Sequence, residues 1–213
     1  ANVEVFADGT RAKGRQILLV GAPDRFRIET LSPLDTTLSV VACDGRVLQF
    51  YDLEHGRFAE GAPTAANLAK VAQLPLTPAD VVRMLFGGAP STLSPEAAEG
   101  WTMQWDDTLG AYHLASPAAP DRLELWVRHG EWGTAAARGR HEGRTVFELR
   151  TAEPHDVLEG SGSLMIARRL QVLLNGGKMD LTVDVTRYDL NPTLPDSLFS
   201  LRPPRGVSVE SLD

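Results

Sequence analysis

The stretch 25-RFRIETLSPLDTTLSVV-41 holds two runs of alternating polar and apolar residues, joined by a short loop in which Leu34 stands between Pro33 and Asp35. Alternation at period two marks a β-strand with one buried face, so the stretch reads as strand, turn and strand. Phe26 and Ile28 share one face of the first strand while Arg25, Arg27 and Glu29 take the other, and Leu38 groups with Val40 in the second. A large apolar side chain at a loop tip contributes nothing to folding by staying in water. Leu34 therefore either folds back onto the sheet or contacts a membrane or a partner.

Outward from this pair, residues 2–60 keep the same period, as in an antiparallel meander. Gly9, Gly21-Ala22-Pro23, Asp44-Gly45 and His55-Gly56 mark the reversals, and Leu48 groups with Phe50. Residues 62–90 change period: Leu68, Val71 and Ala72, then Val81, Val82, Leu85 and Phe86, recur at helical spacing. Thr64 and Thr77 are placed to cap two helices, with Pro78 at the first position of the second, Pro75 between them and Gly87-Gly88 after them. This predicts a helical hairpin inside a β chain.

Strands resume near Trp101. RLELWVR (122–128) alternates cleanly before His129-Gly130, residues 145–151 put Phe147 and Leu149 on one face, and EPHDVLEGSGS (153–163) reads as an exposed loop. Around Asn175-Gly176-Gly177 lies the clearest hairpin, with Met179, Leu181, Val183 and Val185 inward, and the proline-punctuated tail from 191 is expected to cross the sheet edge or mouth. The elements fit one domain over residues 1–213, mainly β with a few helices. They predict an incomplete, half-open antiparallel β-barrel of about 11 strands covered by a helical lid. Its parts are a first sheet half (1–60), the lid hairpin (62–90), a second sheet half (100–190) and the tail (191–213).

Composition narrows the function. A net charge of −7 with scattered Lys and Arg argues against nucleic acid and against charge-driven attachment to an anionic membrane. Cys43 is the one cysteine, so no intrachain disulfide or cysteine-based metal site is expected, and it reads as a small buried hydrophobe. No apolar run is long enough to span a bilayer and no signal peptide is read. The abrupt strand-like start, NVEVFADG (2–9), suggests a processed form with a segment removed upstream.

Activity motifs are missing. His141-Glu142 has no second histidine at zinc spacing, and His55, His113, His129, His141 and His155 sit mostly beside glycine or in polar segments. Asp106-Asp107 reads as a turn, since adjacent strand residues point to opposite faces. No Gly-x-Ser-x-Gly elbow occurs, and Gly160-Ser-Gly162 lacks a phosphate-loop lysine. Trp101, Trp105, Trp126 and Trp132 read as core or barrel wall before ligand platform. The expectation is a protein that is not an enzyme, with no cofactor, no metal site and no catalytic residue.

The order of elements from Arg25 to Pro90 resembles the LolB branch of the LolA/LolB superfamily. The resemblance rests on RFRIETLSPLDTTLSV, the strand VLQFYD, the helix around TAANLAKVAQLPL and PADVVRMLFGGAP, together with the closing RYDLNPTLPDSLFSLRPPRGV. It implies a LolA fold whose apolar cavity holds the acyl chains of lipoproteins. It also implies acceptance of cargo from a LolA-like periplasmic carrier and insertion into the inner leaflet of the bacterial outer membrane. Leu34 matches the protruding leucine that promotes insertion there, flanked by Leu31 and Pro33, while Asp35 stands where that family usually has glycine. A lipid anchor is then expected upstream, a monomer is expected, and a soluble periplasmic form is the alternative.

On this reading Phe26, Ile28, Leu38, Val40, Leu48, Phe50, Leu123, Leu125, Val127, Phe147, Leu149, Leu181 and Val183 face the acyl cavity, and Leu68, Val71, Leu74, Val81 and Leu85 form the underside of the lid. Core and cavity wall look alike in sequence. Two other readings remain open: a LolA-fold envelope lipoprotein for another lipid or glycolipid, and a filled-barrel scaffold for a protein partner.

Overall fold

The computed structural model describes residues 1–7, 9–90, 100–117, 120–130, 133–159 and 162–213; of residues 157–159 and 162–165 it describes the backbone alone. The elements are β1 Asn2–Ala7, β2 Thr10–Gly21, β3 Arg25–Leu31, β4 Thr37–Cys43, β5 Leu48–Asp52, β6 Arg57–Gly61, α1 Ala65–Ala72, α2 Pro78–Leu85, β7 Thr102–Asp106, β8 Ala111–Ala115, β9 Asp121–Arg128, β10 Thr134–His141, β11 Arg144–Glu159, β12 Gly162–Leu174, β13 Met179–Asp184 and β14 Val209–Ser211. They form one open sheet of fourteen strands in the order β14-β6-β5-β4-β3-β2-β1-β13-β12-β11-β10-β9-β8-β7, not closed into a barrel. The expectation of a mainly β fold with a few helices and an incompletely closed sheet holds, with more strands than the alternation alone resolved.

Two compact units share these strands: a first unit of Ala1, residues 14–83 and 191–213, and a second of residues 2–13 and 84–190.

In the first unit, cross-strand rows decide what is buried. Val20, Phe26, Cys43 and Leu48 form one row and Leu18, Ile28, Val41 and Phe50 the next, all on one face. Helix α1 packs against β5. Thr64 caps α1 by accepting from Asn67 N–H at 3.2 Å, and Gln73 ends it at φ 57, before Pro75. Thr77 caps α2 reciprocally: its hydroxyl accepts from Asp80 N–H at 3.2 Å and donates to Asp80 Oδ2 at 2.8 Å. Asp80 is nearly fully buried in that pairing.

The opposite face of this unit is drier than alternation suggested. Arg27, paired with Glu29 at 2.6 Å, also donates to Leu198 O at 3.2 Å. Phe199 is buried with Arg25 5.1 Å above its ring, and Gln49 Oε1 accepts from Leu201 N–H at 2.7 Å. The tail then adds β14 in parallel beside β6, as the edge placement anticipated. This covering strap lies some 170 residues from the strands it protects, so no local pattern reveals it.

In the second unit the ladder continues through β7–β13 and β1. Residues 153–163, expected as a loop, are strand over their described part: the β11–β12 pairing runs from Phe147 with Leu174 out to Glu159 with Gly162. The polar residues Glu153 and Asp156 are exposed there, as expected. Backbone pairing asks only that a partner strand be present, and β12 supplies it whatever the side-chain polarity. Residues 160–161 lie outside the described residues.

Candidate functional site

The loop that carries Leu34 is a tied turn. Asp35 N–H donates to Ser32 O at 3.0 Å and Ser32 N–H to Thr36 O at 2.8 Å. Ser32 Oγ accepts from the N–H groups of both Leu34 and Thr36 at 3.2 Å. Pro33 presets φ at the first turn position. Asp35 takes the left-handed conformation, φ 64, and its carboxylate pairs with Arg15 of β2. Aspartate is one of the few residues besides glycine that tolerates this left-handed backbone. Every polar group that fixes the turn is backbone, Ser32, Thr36, Asp35 or Arg15. Leu34 is left 87% exposed at the tip, while Leu31 is half-buried at the strand end.

The predicted inward residues divide by register. Phe26, Ile28, Leu48 and Phe50 share one face of the first unit. Val40 does not join them: it pairs with Glu29 and Tyr51 and so lies on the opposite face, beside Leu38 in alternation, while Val41 and Cys43 take the inner places. A bulge between Thr30 and Leu31 shifts the ladder at this end of β3. Of the helical residues placed on the lid underside, Leu68 and Val81 are buried and Val71, Leu74 and Leu85 half-buried; Val82, read at the same spacing but not placed there, is buried too, as is Met84, which the periodicity did not pick out, while Phe86 is exposed.

In the second unit all seven predicted strand residues fall on one face. One row runs Met103, Leu114, Leu125, Ala137, Leu149, Val172, Leu181 and Val5 across eight strands without a polar side chain. Beside it lie Leu123, Phe147, Leu174 and Met179 on one flank and Leu170 with Val183 on the other; Val127 pairs with Tyr112. Leu149 is fully buried, yet Leu125, Val127, Leu181 and Val5 are half-exposed, and Met103 and Trp105 on β7 are open to solvent. Trp105, Tyr112 and His129 form an edge-to-face aromatic cluster at this end, with Trp105 and Tyr112 centroids 5.2 Å apart. An uninterrupted apolar row with open members leaves hydrocarbon exposed on this face.

The other face of the same strands is polar. Its row reads Gln104, His113, Trp126, Ala136, Arg150, Gln171, Thr182 and Glu4. Trp126 stacks on His113 at 4.4 Å, donates from Nε1 to Asp106 Oδ2 at 2.9 Å and lies under Arg138. Glu124 is buried among His113, Arg122 and Arg140. A groove of about 420 Å³ floored by Ala136 and Ala152 runs between Trp126 and Arg169 on this face. Its charges are paired, Arg138 and Arg150 sharing Glu148. Trp126 thus serves packing, and Trp132 lies outside the described residues.

Cys43 is buried in the first unit, and burial pushes its thiol up to about 11. Among the described residues no group of three or more His, Cys, Asp or Glu side chains is placed to hold a metal ion, and no helix is long and apolar enough to cross a membrane.

Three solved structures share this fold at low sequence identity. A LolA superfamily protein from Nitrosomonas europaea aligns with TM-score 0.55 and 16% identity over 94% of this chain and 88% of its own. A DUF1329 family protein from Desulfovibrio piger aligns with TM-score 0.58 and 13% identity over 93% of this chain and 87% of its own. A Vibrio parahaemolyticus domain named for outer membrane lipoprotein sorting gives TM-score 0.55 and 10% identity, over 93% and 87%. No protein-family model matches the chain, and no curated protein matches it.

Proposed function

We propose that this protein binds the acyl chains of lipoproteins on its apolar sheet face, accepts them from a LolA-like periplasmic carrier and promotes their insertion into the outer membrane through Leu34. The observation that carries the reading is Leu34 itself: a leucine 87% exposed on a turn whose hydrogen bonds do not involve its side chain. The shared fold with a LolA superfamily protein and a lipoprotein-sorting domain supports it, as does the eight-strand apolar row with half-exposed members.

The physics needs no covalent step. Each methylene moved from hydrocarbon into water costs about 0.8 kcal/mol, so acyl chains pass only between apolar surfaces in contact. Leu34 entering the acyl boundary of the leaflet gives the chains a continuous apolar path for release. The site of action is the periplasmic side of the outer membrane, and no cofactor takes part.

The test is transfer of an acylated model lipoprotein from a loaded LolA-type carrier into liposomes, with wild type and Leu34→Glu compared. The expected result is normal uptake by both and delivery by wild type alone. Equal delivery by both removes Leu34 from the mechanism, and failure of both to take up cargo points to a different lipid.

A further inference from the structure

The apolar face of the second unit ends at a cation. Arg168 lies on β12 one cross-strand row beyond Thr151, Leu170 and Val183 and on their side of the sheet, because side chains two apart on a strand point the same way. The row is held by Val185 N–H donating to Arg168 O at 2.7 Å. His155, paired with Ile166, stands on the same face one row further on.

An arginine at the edge of an apolar face calls for an anion, and the fold withholds one. The cross-strand neighbour that would supply it is Glu153, which the flanking pairs Ala152 with Arg169 and Pro154 with Ala167 set opposite Arg168. Glu153 instead takes a left-handed backbone, φ 55, and gives its carboxylate to Arg169 at 3.3 Å. Arg169 holds Asp184 as well, at 2.5 Å. Among the described residues no carboxylate pairs with Arg168. Its Nη2 lies 3.0 Å from His155 Nε2, and its Nε is buried without an acceptor. Tyr188 stands beside it, its hydroxyl donating to Ala167 O at 2.5 Å. What sets Arg168 apart from the other arginines without a carboxylate is its place at the end of an apolar face, with a buried Nε that has no acceptor.

We propose that Arg168, with His155 and Tyr188 around it, receives the anionic headgroup of an acyl amphiphile, a carboxylate or phosphate, while the chain lies toward the half-exposed Leu181 and Leu125 of the apolar face. This rests on the acyl-binding reading above and adds to it a preference for anionic lipid. The guanidinium keeps donors free for such a group, and charge-assisted bonds of this kind are the strong ones.

Calorimetric titration with dodecyl phosphate, the neutral dodecyl maltoside and inorganic phosphate, all below micelle-forming concentrations, tests it. Wild type should bind dodecyl phosphate at least about tenfold more tightly than the maltoside. Arg168→Gln should remove that preference. Arg169→Gln, a neighbour whose charge is already paired, should keep it. Equal affinity of wild type for the two amphiphiles overturns the proposal without any variant, and so does a preference that survives Arg168→Gln. Inorganic phosphate matching dodecyl phosphate in affinity also overturns it, because the chain then adds nothing. If neither amphiphile binds, the acyl-binding reading itself fails.

Discussion

Strands β3 and β4 and the turn between them hold, within one hairpin, a fully buried aromatic ring and an almost fully exposed leucine. Phe26 is 0% exposed and Leu34 is 87% exposed. The difference lies in what holds each part. Phe26 sits in a row with Val20, Cys43 and Leu48, so its burial depends on neighbours from three other strands. The turn is closed by its own backbone, Ser32, Thr36 and the Arg15–Asp35 pair, so its shape does not depend on the Leu34 side chain. Stability and surface chemistry are therefore separable along a few residues of chain.

That separation can be broken from the core side first. Phe26→Ala should lower unfolding free energy by about 3–5 kcal/mol in urea titrations, because removing a fully buried ring loses its packing and leaves a cavity. Cys43, in the same row, should resist a thiol reagent in the native state. With its thiol held at about 11 it carries about a hundredfold less thiolate than a cysteine at the ordinary value of 9. The stability consequence has a definite sign. The folded state holds this proton more tightly, so the contribution is full below about pH 9 and is lost as pH rises through about 11. Cys43→Ala should flatten that part of the stability profile measured between pH 8 and 11.

Smaller effects belong to the turn. Asp35→Ala should cost about 1 kcal/mol, since alanine pays for the left-handed backbone and loses the Arg15 pair, while Asp35→Gly should cost less. Thermal melts of the two variants decide whether φ or charge matters more. Leu34→Ala should change stability by no more than about 0.5 kcal/mol. A loss of several kcal/mol there would place Leu34 in the core and erase the comparison.

Legibility followed the range of the interaction. The two helix caps, the turn at Asp35 and the shared face of Leu123, Leu125, Val127, Phe147, Leu149, Leu181 and Val183 were readable, because caps and period-two alternation are set by residues a few positions apart. Val40 was misplaced because β4 is apolar at consecutive positions, Val40-Val41-Ala42, and period two then has two solutions that only the partner strand separates. The arm of β11 and β12 was missed because its composition is that of a loop, and a strand solvated on its side chains leaves little hydrophobic pattern to read.

By itself the sequence determined the local geometry of this protein: which segments alternate, where helices are capped, where the chain turns, and that a leucine occupies a loop tip. Only the tertiary structure decided which alternating face is dry, that the C-terminal strap covers Arg27 and Glu29, and that Glu153 turns to Arg169 and leaves Arg168 without a carboxylate among the described residues. The reason is physical. Turns and caps are closed by hydrogen bonds within a few residues, whereas burial and ion pairing across a sheet depend on register between strands far apart in the chain, and register is a property of the assembled ladder.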